Sequence, residues 1–147
     1  MLTTDSKNTF SHLQNNWGNA AQIAGSTRGL LAADLNQDGK VDVVALNARG
    51  PASLLKNESE STNYLHVCLI GTGSNRNALG AKIQISQGDY QQIEQIRSGH
   101  SYQSDLVGPI HFGLPSDSTV KMTVVWPDGQ KKEIVTNPGS MLVLIEE

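Results

Sequence analysis

The chain has 147 residues, a single cysteine, and a formal net charge of −3 from 11 basic and 14 acidic residues. This length suits one domain, or a small domain with a fragment attached. The dispersed charge offers no patch for nucleic acid or an anionic membrane, and no apolar run is long enough for membrane insertion or for a signal segment at the N-terminus. Cys68 alone excludes an internal disulfide and a cysteine-based zinc site.

Taken in order, the first candidate element is His12 to Ala24, "HLQNNWGNAAQIA". Gly18 and the asparagines weaken any helix there, so the segment reads as loop or at most a short helix. "GLLAADL" and "VDVVALN" then read as two strands, with "ASLLKN" as a third. Between the first two lies "DLNQDGKVD", Asp34 to Asp42, in which oxygen-bearing side chains fall at alternate positions. Calcium takes six to eight oxygen ligands, and a tight turn can aim several inward at once. Asp34, Asn36, Asp38 and Asp42 would supply side-chain oxygens, Lys40 its carbonyl, and Gly39 the sharp bend. The carboxylates crowded into one loop would repel each other without a cation. The helix-flanked calcium hand closes with an acid at its twelfth position. Here that position is Ala45, and a β-branched run follows Asp42, so the expectation is a strand-loop-strand site. The alternative is an ion-free turn rich in Asn and Asp.

"NESESTN", Asn57 to Asn63, reads as a linker, beyond which alternation is clean. In "YLHVCLI", Leu65, Val67 and Leu69 share one face, while His66 and Cys68 share the other. "GAKIQIS" turns Ala81, Ile83 and Ile85 inward, and "VKMTVVW" does the same with Val120, Met122, Val124 and Trp126. Pro127-Asp128-Gly129 marks a turn from which "QKKEIV" returns, and "SMLVLIE" suits a fully buried strand. About six strands from Tyr64 onward are enough for two packed sheets. The expected fold is all-β: an antiparallel sandwich or small barrel over residues 58–147, with a hairpin or blade fragment carrying the calcium loop over residues 1–57. That fragment is too small to bury both its faces alone.

These residues resemble a known pairing. "DLNQDGKVDVVALN" is similar to the calcium loop and following strand of FG-GAP or VCBS repeats, the blades of integrin-like β-propellers. From Tyr64 onward the chain resembles the ASPIC/UnbV domain, on "SNRNALGA" (Ser74 to Ala81), "RSGHSYQSD" (Arg97 to Asp105), "HFGL" (His111 to Leu114) and "VVWPDG" (Val124 to Gly129). With "NARGPASLLKN" the resemblance spans most of residues 29–135. The other blades that usually precede the last loop are absent, which implies a C-terminal fragment of a longer secreted or envelope protein. The resemblance implies adhesion, recognition or scaffolding and carries no reaction with it.

An enzyme needs a nucleophile, a base and an electrophile stabiliser within mutual reach. His100 beside Ser101 and Ser104 is the nearest candidate, but neighbours on a strand point to opposite faces, and a polar edge strand is the preferred reading. Arg76 could clamp a carboxylate or glycan partner; the preferred alternative is that it braces its glycine-rich loop through Asp105 or strand-end carbonyls. His12, His66, His100 and His111 show no metal-ligand spacing. Trp126 continues an inward face and reads as core rather than sugar platform. Asn57-Glu58-Ser59 matches a glycosylation acceptor, a pattern common by chance. The expected function is a non-catalytic, calcium-binding module for a protein or glycan partner outside the cytoplasm; the alternative is an accessory carbohydrate-binding or docking domain of an enzyme.

Overall fold

The computed structural model describes residues 2–4, 10–12, 25–60, 63–73, 75–99 and 108–147, the first two segments as backbone alone. Twelve strands follow one another with no helix among the described residues. They are β1 (Leu2–Thr4), β2 (Phe10–His12), β3 (Thr27–Ala33), β4 (Asp42–Asn47), β5 (Ser53–Leu55), β6 (Tyr64–Ile70), β7 (Lys82–Gln87), β8 (Tyr90–Gln95), β9 (Ile110–Gly113), β10 (Val120–Val125), β11 (Lys131–Thr136) and β12 (Ser140–Ile145). Residues 13–24, most of the weak helix candidate, lie outside the described residues.

The C-terminal strands form two open sheets, ordered β12-β6-β9 and β11-β10-β7-β8. Period-two alternation explains why they pack together. Leu65, Val67 and Phe112 from the first sheet and Ile83, Ile85, Val120, Met122 and Val124 from the second are at most 1% exposed and form one cluster. Fully burying each of these larger side chains is worth roughly 1.5–3 kcal/mol. The expected all-β architecture is therefore present as a sandwich. One pairing departs from an antiparallel plan: β12 runs parallel to β6, with Leu142 opposite Val67 and Leu144 opposite Leu69. From Tyr64 onward the described residues form seven strands, including one whose residues do not alternate apolar and polar in the expected way, β8.

The last strand also differs from expectation. "SMLVLIE" suggests burial on both faces, yet Met141, Val143 and Ile145 are 56%, 53% and 52% exposed. Only one face of β12 meets the core, through Leu142 and Leu144, and the other is turned away from it.

Upstream, β3, β4 and β5 make a separate three-stranded antiparallel sheet. Its strands coincide with the three apolar runs read from the sequence. Of its apolar side chains only Ala45 is fully buried, while Leu46 and Leu54 stay 45% and 63% exposed. It packs on the sandwich through the β3–β4 loop.

Candidate functional site

The Asp34–Asp42 loop is held by its own acidic and amide side chains. Asp34 accepts hydrogen bonds from the Asp38 N–H (3.1 Å) and the Gly39 N–H (2.8 Å), one on each carboxylate oxygen. Asn36 Oδ1 accepts a second bond from the Asp38 N–H at 3.2 Å. Asp38 in turn accepts from the Lys40 N–H at 3.0 Å and from the Asn36 amide at 2.9 Å, and the latter bond chiefly lowers its pKa. Asp42, 3% exposed, reaches outward: its carboxylate accepts from the Asn57 N–H (2.8 Å) and the Leu35 N–H (3.4 Å). Asn57 Nδ2 donates back to the Val41 carbonyl at 3.2 Å, so the strand exit after β5 is tied to the loop.

The loop rests on the first strand of the sandwich. Gly39 has φ +85°, and a Cβ built there would lie 2.2 Å from two ring carbons of Tyr64. Only a residue without a side chain fits both the backbone conformation and the space. One turn further back, Asp34 Oδ2 lies 3.7 Å from His66 Nε2, with the Asp34 side chain only 1% exposed. His66 Nε2 is also 2.9 Å from His111 Nδ1, because β6 and β9 place these residues directly opposite each other. A bond between two ring nitrogens needs one protonated and one bare, so the pair cannot carry two full charges and keep it. Burial, followed by the neighbouring His66, lowers the His111 pKa and favours its neutral form. Tyr64 completes the group, its ring 4.9 Å from that of His66 and 6.1 Å from that of His111, centroid to centroid.

At the far end of β6 a second loop, residues 71–81, is closed by a strand-end acid. Glu146, 3% exposed, accepts from the Thr72 and Gly73 N–H groups at 2.8 and 2.7 Å. Asn75 accepts from the Leu79 N–H at 2.7 Å and donates to the Leu79 carbonyl at 3.1 Å, and the Gly71 N–H donates to the Arg76 carbonyl.

A family model described as "ASPIC and UnbV" matches residues 71–147, the second loop and every strand from β7 onward. The chain belongs to the ASPIC and UnbV family. It is 26% identical over 136 residues to cartilage acidic protein 1 of Homo sapiens, covering 89% of this chain and 20% of that protein. Against cartilage acidic protein 1 of Mus musculus it is 28% identical over 120 residues, covering 78% of this chain and 18% of the relative. The chain thus spans about one fifth of the length of these relatives.

Within the ASPIC and UnbV region, Asn75 and Glu146 brace the loop that holds Arg76, and Arg76 itself is exposed. Its suggested partner Asp105 lies outside the described residues, as do His100, Ser101 and Ser104. Trp126 is 4% exposed and belongs to the core, where no sugar could stack on it. In the Asp34–Asp42 loop all the named donors are oxygens, which suits a hard cation, and each Asp34 oxygen that accepts one N–H retains a lone pair. Among the described residues, no three His, Cys, Asp or Glu side chains are gathered as a metal-binding group. The His66–His111 pair went unseen in the sequence. The two residues are 45 positions apart, and only the β6–β9 register brings them together.

Proposed function

We propose that this chain is a non-catalytic interaction module acting outside the cytoplasm. In this reading residues 1–57 form an FG-GAP or VCBS-type blade fragment and residues 58–147 the ASPIC and UnbV domain. Calcium held by Asp34, Asn36, Asp38, the Lys40 carbonyl and Asp42 stiffens the loop that joins the two. The observation that carries it is the seating of Asp34: a carboxylate only 1% exposed, on the loop that packs against Tyr64 and beside His66. A buried carboxylate is costly unless compensated by opposite charge. A cation there would offset the repulsion among Asp34, Asp38 and Asp42 and fix the blade's orientation on the sandwich.

The relatives' name places them in cartilage, which supports an extracellular setting, and the protein or glycan partner is met by the exposed surface of the assembled module. The affinity expected for calcium is that of extracellular modules, roughly 10⁻⁴ to 10⁻³ M. The test is a thermal melt with calcium and with a chelator, alongside a calorimetric titration of the parent and an Asp38→Ala variant. Calcium should raise the melting temperature with a stoichiometry near one, and Asp38→Ala should weaken binding sharply. An Asp38→Ala protein that titrates like the parent refutes the ligand set.

A further inference from the structure

Edge strands expose unpaired N–H and C=O groups, and soluble proteins blunt them with charge, proline, bulges or short length. Most described edges here follow that rule. β11 carries Lys131, Lys132 and Glu133; β8 carries Glu94; β9 has four residues and follows Pro109; β5 has three and precedes Lys56. β3 has Arg28 and a register shift between Thr27 and Gly29. β12 has none of these devices within the strand: six residues, "SMLVLI", without charge or proline, with Pro138 two residues before it and Glu146 and Glu147 only after its end, and an outer edge on which no described strand pairs.

The phase of its ladder fixes what that edge presents. The Glu146 N–H donates to the Ile70 carbonyl at 2.9 Å, so in the parallel pairing with β6 the polar groups of Leu142 and Leu144 point inward. Those of Met141, Val143 and Ile145 point away from the sheet, and these are the three residues whose side chains stand 56%, 53% and 52% exposed. The adjoining β6 face, Tyr64, His66, Cys68 and Ile70, adds no acid, lysine or arginine.

We infer that the outer edge of β12 pairs antiparallel with β12 of a second copy of this chain, joining two three-stranded sheets into one of six. The strand is its own complement. With Val143 opposite Val143, Met141 meets Ile145 at both ends, every outward N–H and C=O finds a partner, and no like charges meet. This register gives the longest overlap of the outward-facing residues. The exposed apolar area also favours strand pairing over face-to-face stacking. Three half-exposed side chains offer far less than the roughly 800 Å² per partner that a stable face-to-face interface buries, so backbone hydrogen bonds must hold the pair.

The experiment is sedimentation equilibrium of the full chain across micromolar to millimolar concentration, with amide hydrogen exchange at both ends of that range. Expected is a monomer–dimer equilibrium in which the Met141, Val143 and Ile145 amides gain protection with concentration, while those of Leu142 and Leu144 are protected throughout. Val143→Lys, whose long side chain still reaches water, should leave the melting temperature near the parent's and abolish the dimer. Val135→Lys on β11 should leave the dimer intact. A monomer at millimolar concentration overturns the inference. So does a dimer that survives Val143→Lys or forms without protection of those three amides, and so does protection that appears only when an unrelated extended peptide is added.

Discussion

Gly39→Ala tests whether the loop is seated on the sandwich. The new Cβ would sit 2.2 Å from Tyr64 Cδ1 and Cε1, in a backbone conformation of φ +85°. Holding an L-residue in the left-handed region costs about 1–2 kcal/mol. Forcing an extra carbon into packed space costs about 1–3 kcal/mol more, because the tyrosine ring must turn away from His66 and His111. Together the substitution should remove roughly 2–5 kcal/mol, a large part of the roughly 5–15 kcal/mol that holds an ordinary domain together. The two contributions separate in a double-mutant cycle. In a Tyr64→Ala background the ring is gone and only the backbone cost of about 1–2 kcal/mol should remain. Urea denaturation followed by tryptophan fluorescence gives all four stabilities. Equal costs for Gly39→Ala in the two backgrounds would mean that the loop does not rest on Tyr64, and the proposed link between blade fragment and sandwich would fail.

Three other perturbations probe separate parts of the structure. Glu146→Ala removes the acceptor of the Thr72 and Gly73 amides, bonded at 2.8 and 2.7 Å, so both should exchange markedly faster and stability should fall by roughly 1.5–3 kcal/mol per bond to a charged group; unchanged exchange would refute the bracing role. Asp42→Ala leaves the Asn57 and Leu35 N–H groups without their acceptor, and chelator-treated protein should lose roughly 1–3 kcal/mol in denaturant titration, whereas no loss would show the bonds to be replaceable by water. His111, faced by His66, Asp34 and Tyr64, has a pKa lowered from 6.5 by burial and by His66. The unfolded chain therefore takes up a proton at that site before the folded one does. Stability is fully present above about pH 6.5 and declines as pH falls through and below it, and His111→Gln should flatten that part of the profile. An unaltered slope in His111→Gln would assign the dependence to another group.

Strands β6, β7 and β10 were legible because a half-buried sheet imposes alternation, and most of their inward residues are at most 1% exposed. β8 was not, because its pattern runs against type: Ile93 is 63% exposed, while Gln92 and Glu94 turn toward the other sheet. The Gly88-Asp89 turn between β7 and β8 was the available signal, a two-residue connection of hairpin type. β12 was legible as a strand but not as an edge, since an apolar run does not say how many neighbours it has. At the candidate site the spacing of Asp34, Asn36, Asp38 and Asp42 announced a tight oxygen-lined loop, and the loop's internal hydrogen bonds follow that spacing. What sits beneath the loop was invisible: Tyr64, His66 and His111 meet it only through the β6–β9 register and the path of the chain after β5.

The parallel pairing of β6 with β12 has a consequence for how the chain assembles. The sandwich's first strand waits for its last, and the Glu146 clasp on Thr72 joins residues 74 positions apart. Contacts of such separation carry a loop-closure cost before they return any stability, and they slow folding. During synthesis β6 would emerge before both of its sheet neighbours, β9 and β12, its apolar residues uncovered until the later strands follow. The β3–β4 loop, already made, covers the face of β6 that carries Tyr64 and His66, opposite Leu65, Val67 and Leu69, so it leaves the apolar face for the second sheet to cover. One face of β6 thus meets residues that precede it in the chain, while its apolar face waits for strands that follow.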